Sequence, residues 1–145
     1  MYSASKGCSN FAGFFHFMTH QSTPRQEEIT NAYLKALDDH LGDIVEGREG
    51  TMKEINEIAE QLHIHPTHLS NTVKLATGKS ACYFFEHKII DIAKKLLEQQ
   101  DKSITEIAHQ LTYDPSNFTK FFKQYVHKTP GQYRKDLLKV SQEAS

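Results

Sequence analysis

Tryptophan is absent from this 145-residue chain, cysteine occurs only as Cys8 and Cys82, and proline only four times. Two cysteines with no CxxC pair exclude a disulfide framework and a cysteine-rich zinc site, and they suit a reducing compartment, here the cytoplasm. Long hydrophobic runs are also missing, for no stretch approaches the roughly 18 apolar residues that cross a bilayer. The most apolar segment, FAGFFHFM at 11–18, contains a histidine, has one lysine upstream and lacks a small-residue cleavage site. It reads as part of a flexible N-terminal segment over 1–24. Nor does charge of one sign dominate: the net value is −1, which excludes a protein-wide positive field.

What is present is an ordinary globular composition, 38% hydrophobic and 24% charged, sufficient for one packed domain with or without a tail. The charge is unevenly spread. Residues 1–50 carry four basic against seven acidic side chains, whereas 113–139 carry Lys120, Lys123, Lys128, Arg134, Lys135 and Lys139 against Asp114 and Asp136. The positive field is therefore local and lies toward the C-terminus.

From Arg25 onward Ile29, Tyr33, Leu37, Leu41 and Ile44/Val45 recur at spacings of three and four, which predicts an amphipathic helix over 26–46. Gly47 and Gly50 break it, and Thr51 with Glu54 is the pattern of a capping box for the next helix. The apolar stripe of 26–46 must be covered; a scaffold helix folded onto the following unit is the simpler reading, and a dimer surface the alternative.

The chain then repeats itself. INEIAEQL at 55–62 returns as ITEIAHQL at 104–111, and the offset of 49 persists without a gap, pairing Pro66 with Pro115, Leu69 with Phe118, Val73 with Phe122 and Phe84 with Tyr133. Nine of the 30 positions over 55–84 are identical to those 49 later, so the chain holds two copies of one helical unit. In each copy a short helix with an apolar face (Ile58, Ala59, Leu62; Ile107, Ala108, Leu111) is followed by a turn of about three residues and a proline at the first position of a second helix. Asp114 is a good N-cap for that helix in the second copy. The second helices bury Leu69 and Val73, or Phe118 and Phe122, one turn apart and are polar on the other side, which is the helix-turn-helix pattern. Between the copies Phe84, Phe85, Ile89, Ile92, Ala93, Leu96 and Leu97 predict one connecting helix over 81–100. Its length of roughly 25–30 Å suits two recognition helices about one DNA turn (~34 Å) apart. Ser103 with Glu106, and Thr129 with Gln132, cap the two helices that follow.

With IAEQLHIHPTHLSNTVKLATGKS in the first unit, AKKLL in the connecting helix and SITEIAHQLTYDPSNFTKFFKQYVHKTPGQYR in the second, the sequence resembles the DNA-binding domain of the AraC-type (AraC/XylS) transcription regulators. Ile107, Ala108, Ser116, Phe118, Phe122, Lys123, Thr129, Pro130, Tyr133 and Arg134 carry the family's second-unit signature. The resemblance implies an all-α fold of seven or eight helices, in two tandem homeodomain-like helix-turn-helix subdomains. The resemblance covers about 52–136, within a DNA-binding domain expected at 51–140, while the additional helix and linker at 25–50 rest on the apolar periodicity alone. Within that domain it puts the helix-turn-helix units at 54–78 and 103–127, the connecting helix at 81–100 and the last helix at 129–140. It implies a bacterial regulator with double-stranded DNA (major groove) and RNA polymerase as partners, no membrane, no cofactor and no enzymatic step, acting as a monomer or weak homodimer. The sequence departs from the family where glycine is common: His63 and Thr112 stand in the turns and His127 before the Thr-Pro pair, while Gly78 is retained in the first copy. A β-branched threonine resists the positive φ such turns use.

With the apolar pairs inward, the faces left to read base edges are Thr67, His68, Ser70, Asn71 and Lys74 in the first unit and Ser116, Asn117, Thr119, Lys120 and Lys123 in the second. An asparagine amide such as Asn71 can pair with adenine, and Lys120 can reach guanine acceptors. Lys123, with Lys128, Arg134 and Lys135, forms a phosphate-binding edge. Phe121 and Tyr125 read as packing residues, and Cys82 as a small buried one. Rival readings are a metal site at His63, His65 and His68 in HIHPTH, and a protein-interaction module with degenerate DNA binding. No Ser/His/Asp arrangement or Gly-rich phosphate loop supports an enzyme.

Overall fold

The computed structural model describes residues 22–144, and among these every regular element is an α-helix: α1 Pro24–Val45, α2 Ile55–Gln61, α3 Pro66–Thr77, α4 Ala81–Gln99, α5 Ile104–Gln110, α6 Pro115–Val126 and α7 Pro130–Ala144. The all-α expectation holds. The flexible segment expected at 1–24 lies, up to residue 21, outside the described residues. The last helix runs four residues beyond the expected limit of 140.

Helix α1 begins two residues earlier than its apolar periodicity requires, because Thr23 and Gln26 form a reciprocal box: Gln26 N donates to Thr23 Oγ1 (3.1 Å) and Thr23 N to Gln26 Oε1 (3.0 Å). The Thr-Pro-x-Gln string that makes it is the one that starts α7, where Gln132 N donates to Thr129 Oγ1 and Thr129 N to Gln132 Oε1. At its other end α1 stops in a Schellman turn, with Gly47 at φ 77 and Arg48 N donating to the Asp43 carbonyl (2.9 Å).

The chain divides into two compact units. The first takes residues up to Ala36 together with Ile55–Phe84, and the second Leu37–Glu54 together with the rest from Phe85. The stripe of α1 is covered by the chain itself: Ile29, Tyr33, Leu37, Leu41 and Ile44 are all buried. This supports a scaffold helix over a dimer surface, with one correction, since α1 gives its first half to one unit and its second half to the other.

In the first unit Tyr33, Ile58, Ala59, Leu69 and Val73 form the centre. The Tyr33 hydroxyl donates to the Ala81 carbonyl (2.8 Å) at the start of α4, and burial, with Cys82 nearby, pushes its pKa far above the ordinary phenol value. In the second unit Ile90, Ala93, Leu96, Leu97, Ile107, Ala108, Leu111, Phe118 and Phe122 form one cluster, rimmed by Tyr113, Phe121, Tyr125 and Tyr133. Gln110 Nε2 donates to the Val45 carbonyl (2.7 Å), one of the acceptors left open at the end of α1.

Two expectations need correction. Thr51 is not the cap of α2, which starts only at Ile55. Lys53 N donates to Nε2 of the buried His40 (3.0 Å), and 52–54 carry no helical turn, so Thr51 falls too early to act as a cap. Cys82 is exposed, not buried; Ala81 takes the inward position (3% exposed), and the next residue is rotated about 100° away.

Both helix-helix turns are Schellman turns built without glycine. Ile64 N donates to the Ala59 carbonyl and His63 N to Glu60, while Tyr113 N donates to Ala108 and Thr112 N to His109. The pivots His63 and Thr112 have φ of 58° and 65°. The backbone therefore keeps the route a glycine would ease and strains a β-branched residue to do so. Thr112→Gly is expected to stabilise the chain by about 1 kcal/mol, the left-handed penalty less the greater flexibility of unfolded glycine. The check is thermal unfolding, where the midpoint should rise by about 3–5 °C and His63→Gly should give less, since histidine tolerates this region better.

Candidate nucleic-acid interface

Each copy presents its second helix in the same way. Helix α3 is opened by His65, whose Nδ1 accepts from Thr67 N (3.2 Å), with Pro66 at the first helical position. Helix α6 is opened by Asp114, whose carboxylate accepts from Ser116 N (3.1 Å) and Asn117 N (3.4 Å), followed by Pro115. The expected Asp114 cap is present; the histidine cap of the first copy was legible only through the register, which pairs position 65 with 114.

The buried sides follow the expected pairs. Leu69 and Val73, and Phe118 and Phe122, are all at 0% exposure, so the opposite sides face outward. On α3, Thr67, His68, Asn71 and Lys74 are exposed and Ser70 is half-buried. On α6, Ser116, Asn117, Lys120 and Lys123 are exposed and Thr119 is half-buried, its hydroxyl donating to the Pro115 carbonyl (3.0 Å). Two further outward residues were not singled out from the sequence: Leu75 on α3, 47% exposed, and Gln124 on α6.

Aromatic side chains pack around α6 where the buried pair of α3 is aliphatic. Phe122 meets Tyr133 edge-on at 5.5 Å, Phe121 stacks on Tyr113 at 5.3 Å, and Tyr125 meets Phe121 and His87 edge-on while its hydroxyl bonds Glu86. Phe121 and Tyr125 are thus packing residues, as expected.

The basic edge is narrower than expected. Lys120 and Lys123 are exposed and form no ion pair among the described residues. Lys128 is paired with Asp136 at 2.6 Å, and that hydrogen bond holds the Asp136 carboxyl below the usual carboxylate range. Arg134 departs furthest from a phosphate contact: its Nε donates to the Leu97 carbonyl (3.1 Å) and its Nη2 is buried. The metal alternative loses its geometry, because His65 is spent as a cap and no group of three potential ligands converges among the described residues.

Residues 58–136 match the sequence profile of a family described as a helix-turn-helix domain. An HTH-type transcriptional regulator of Bacillus subtilis, YtdP, is 31% identical over 113 residues, covering 77% of this chain and 15% of its own length. Among solved structures, the C-terminal domain of AraT, a response regulator from Geobacillus stearothermophilus, superposes with a TM-score of 0.65 at 24% identity, over 80% of this chain and 88% of that one. A Chromobacterium violaceum regulator described as AraC-type DNA-binding domain-containing superposes with a TM-score of 0.60 at 18% identity, over 74% and 92%. These two likenesses establish the fold. The matches span 15–40% of the length of the first curated relatives.

The cap is the feature of α6 most open to direct test. Asp114→Ala is expected to cost about 1 kcal/mol, the usual worth of such a cap, measured by urea unfolding with the slope unchanged; an equal loss from Pro115→Ala alone would argue against the cap as the cause.

Proposed function

The chain belongs to the AraC-type helix-turn-helix family, and from that premise we propose that it binds double-stranded DNA sequence-specifically through the outward faces of α3 and α6, and so regulates transcription. The observation that carries this reading is the shared build of the two helices, each capped at its N-terminus, fixed by a fully buried pair one turn apart, and polar on the opposite side. That build is what a helix needs in order to enter the major groove with its first turns against base edges.

The two faces differ, so each copy reads its own half of an asymmetric site. Thr67, His68, Ser70, Asn71 and Lys74 face the bases or nearby backbone in one half, with Asn71 suited to adenine. Ser116, Asn117, Thr119 and Lys120 do so in the other, with Lys120 suited to guanine, while Lys123 meets phosphate and Lys128 is held back from it by Asp136. The chain acts in the cytoplasm with no cofactor and no catalytic step, and RNA polymerase is its protein partner. Cover of the α1 stripe by the chain itself supports a monomer or weak homodimer. Among the described residues no helix is long and apolar enough to cross a membrane.

Selection of bound duplexes from a random library tests the reading, and failure to enrich any site would favour an interaction module instead. On the enriched site Lys120→Ala should lose about 1–3 kcal/mol of discrimination at one base pair. Lys123→Ala should weaken binding to all sequences alike and lower the slope of log K against log salt by about 0.9. Asp136→Asn frees the charge of Lys128 and should raise non-specific affinity severalfold with a steeper salt slope. The Lys128–Asp136 pair stands above the usual carboxylate range and is lost as pH falls through the lowered pKa of Asp136, so the difference between parent and variant should shrink only at acid pH.

A further inference from the structure

Among the basic residues expected along the C-terminal edge, Arg134 has its guanidinium turned into the protein. Nε donates to the Leu97 carbonyl over 3.1 Å, and Nη2 is buried without a hydrogen-bond partner among the described residues. A guanidinium that meets phosphate presents its paired Nη atoms outward. Leu97 lies in the last turn of α4, whose final four carbonyls have no partner within the helix. That turn carries no basic side chain of its own, and the chain leaves it through Gln100 at φ 60. Arg134 therefore supplies both the donor and the positive charge that the negative end of α4 lacks.

The neighbouring residue acts with it. Tyr133 directs its hydroxyl to Glu98 Oε2 (3.4 Å) and sets its ring edge-on to Phe122 at 5.5 Å. Consecutive residues of α7 thus hold the end of α4 on one side and the buried face of α6 on the other. The repeat agrees: 49 residues earlier stands Phe85, which is 8% exposed, so this position points inward in both copies.

We propose that Arg134 is a positioning residue of the second helix-turn-helix: it fastens α7 to the last turn of α4, and so holds α6 in its reading orientation without touching DNA. What α6 is held for rests on the DNA-binding reading above; the fastening does not.

Arg134→Gln and Arg134→Lys, with Lys123→Ala as comparator, test this by melting temperature and by duplex affinity across a salt series. Arg134→Gln should keep the parental salt slope, whereas Lys123→Ala loses about 0.9. Both Arg134 variants should melt several degrees lower, because lysine keeps the charge but not the rigid Nε–H geometry. On a selected site Arg134→Lys should lose about tenfold in discrimination at base pairs read by α6 and none at those read by α3. A slope lowered by about 0.9 in Arg134→Gln with an unchanged melting temperature would make Arg134 a phosphate contact and overturn the proposal, as would an Arg134→Lys variant equal to the parent in every measurement. If Arg134→Gln does not fold, Arg134→Lys decides alone. If the parent binds no duplex, the DNA-binding reading fails, while the melting temperatures still support or refute the fastening.

Discussion

Phe118 and Phe122 stand one helical turn apart on α6 with no exposure to solvent, and the orientation of everything else on that helix depends on them. Burying a phenylalanine is worth about 1.5–3 kcal/mol, so rotating α6 enough to expose either ring would forfeit a sizeable share of a domain's usual net stability. Because the rotation is fixed, Ser116, Asn117, Lys120 and Lys123 face outward together, and the Asp114 cap sets where the face begins. A polar face becomes an instrument of recognition only when its alternatives are excluded. Here the exclusion comes from the opposite side of the helix.

The first copy solves the same problem with less. Leu69 and Val73 replace two phenylalanines, an imidazole nitrogen of His65 replaces a carboxylate as the cap, and the outward face of α3 holds one lysine, Lys74, against Lys120 and Lys123 on α6. Leu75 is also exposed there. The copies thus share a backbone plan while differing in the chemistry they show, as the proposed reading of an asymmetric site requires.

Much of this was legible in the sequence, because an ungapped offset of 49 doubles every observation. Apolar spacing gave the inward pairs, Pro66 and Pro115 marked helix starts by their fixed φ, and Asp114, Ser103 and Thr129 did so by local hydrogen bonding that needs no tertiary partner. What escaped was decided by contacts distant in the chain. The Thr51 to Glu54 capping pattern loses to the bond between Lys53 N and His40, 13 residues away. Arg134 reads from the sequence as part of a phosphate-binding edge, whereas its Nε donates to the Leu97 carbonyl, 37 residues earlier. The division of α1 between two units has no local signal, since its apolar stripe runs unbroken across Ala36 and Leu37. The Thr23 to Gln26 box did have one, the same Thr-Pro-x-Gln string that opens α7.

The central claim is that two helices of one chain each read DNA, and base-specific interference footprinting on an enriched duplex tests it most directly. The account predicts two separate clusters of major-groove positions at which modification blocks binding, one weakened selectively by Asn71→Ala and the other by Lys120→Ala. A single cluster sensitive to Lys120→Ala alone would contradict it, leaving α3 as scaffold and α6 as the only reader.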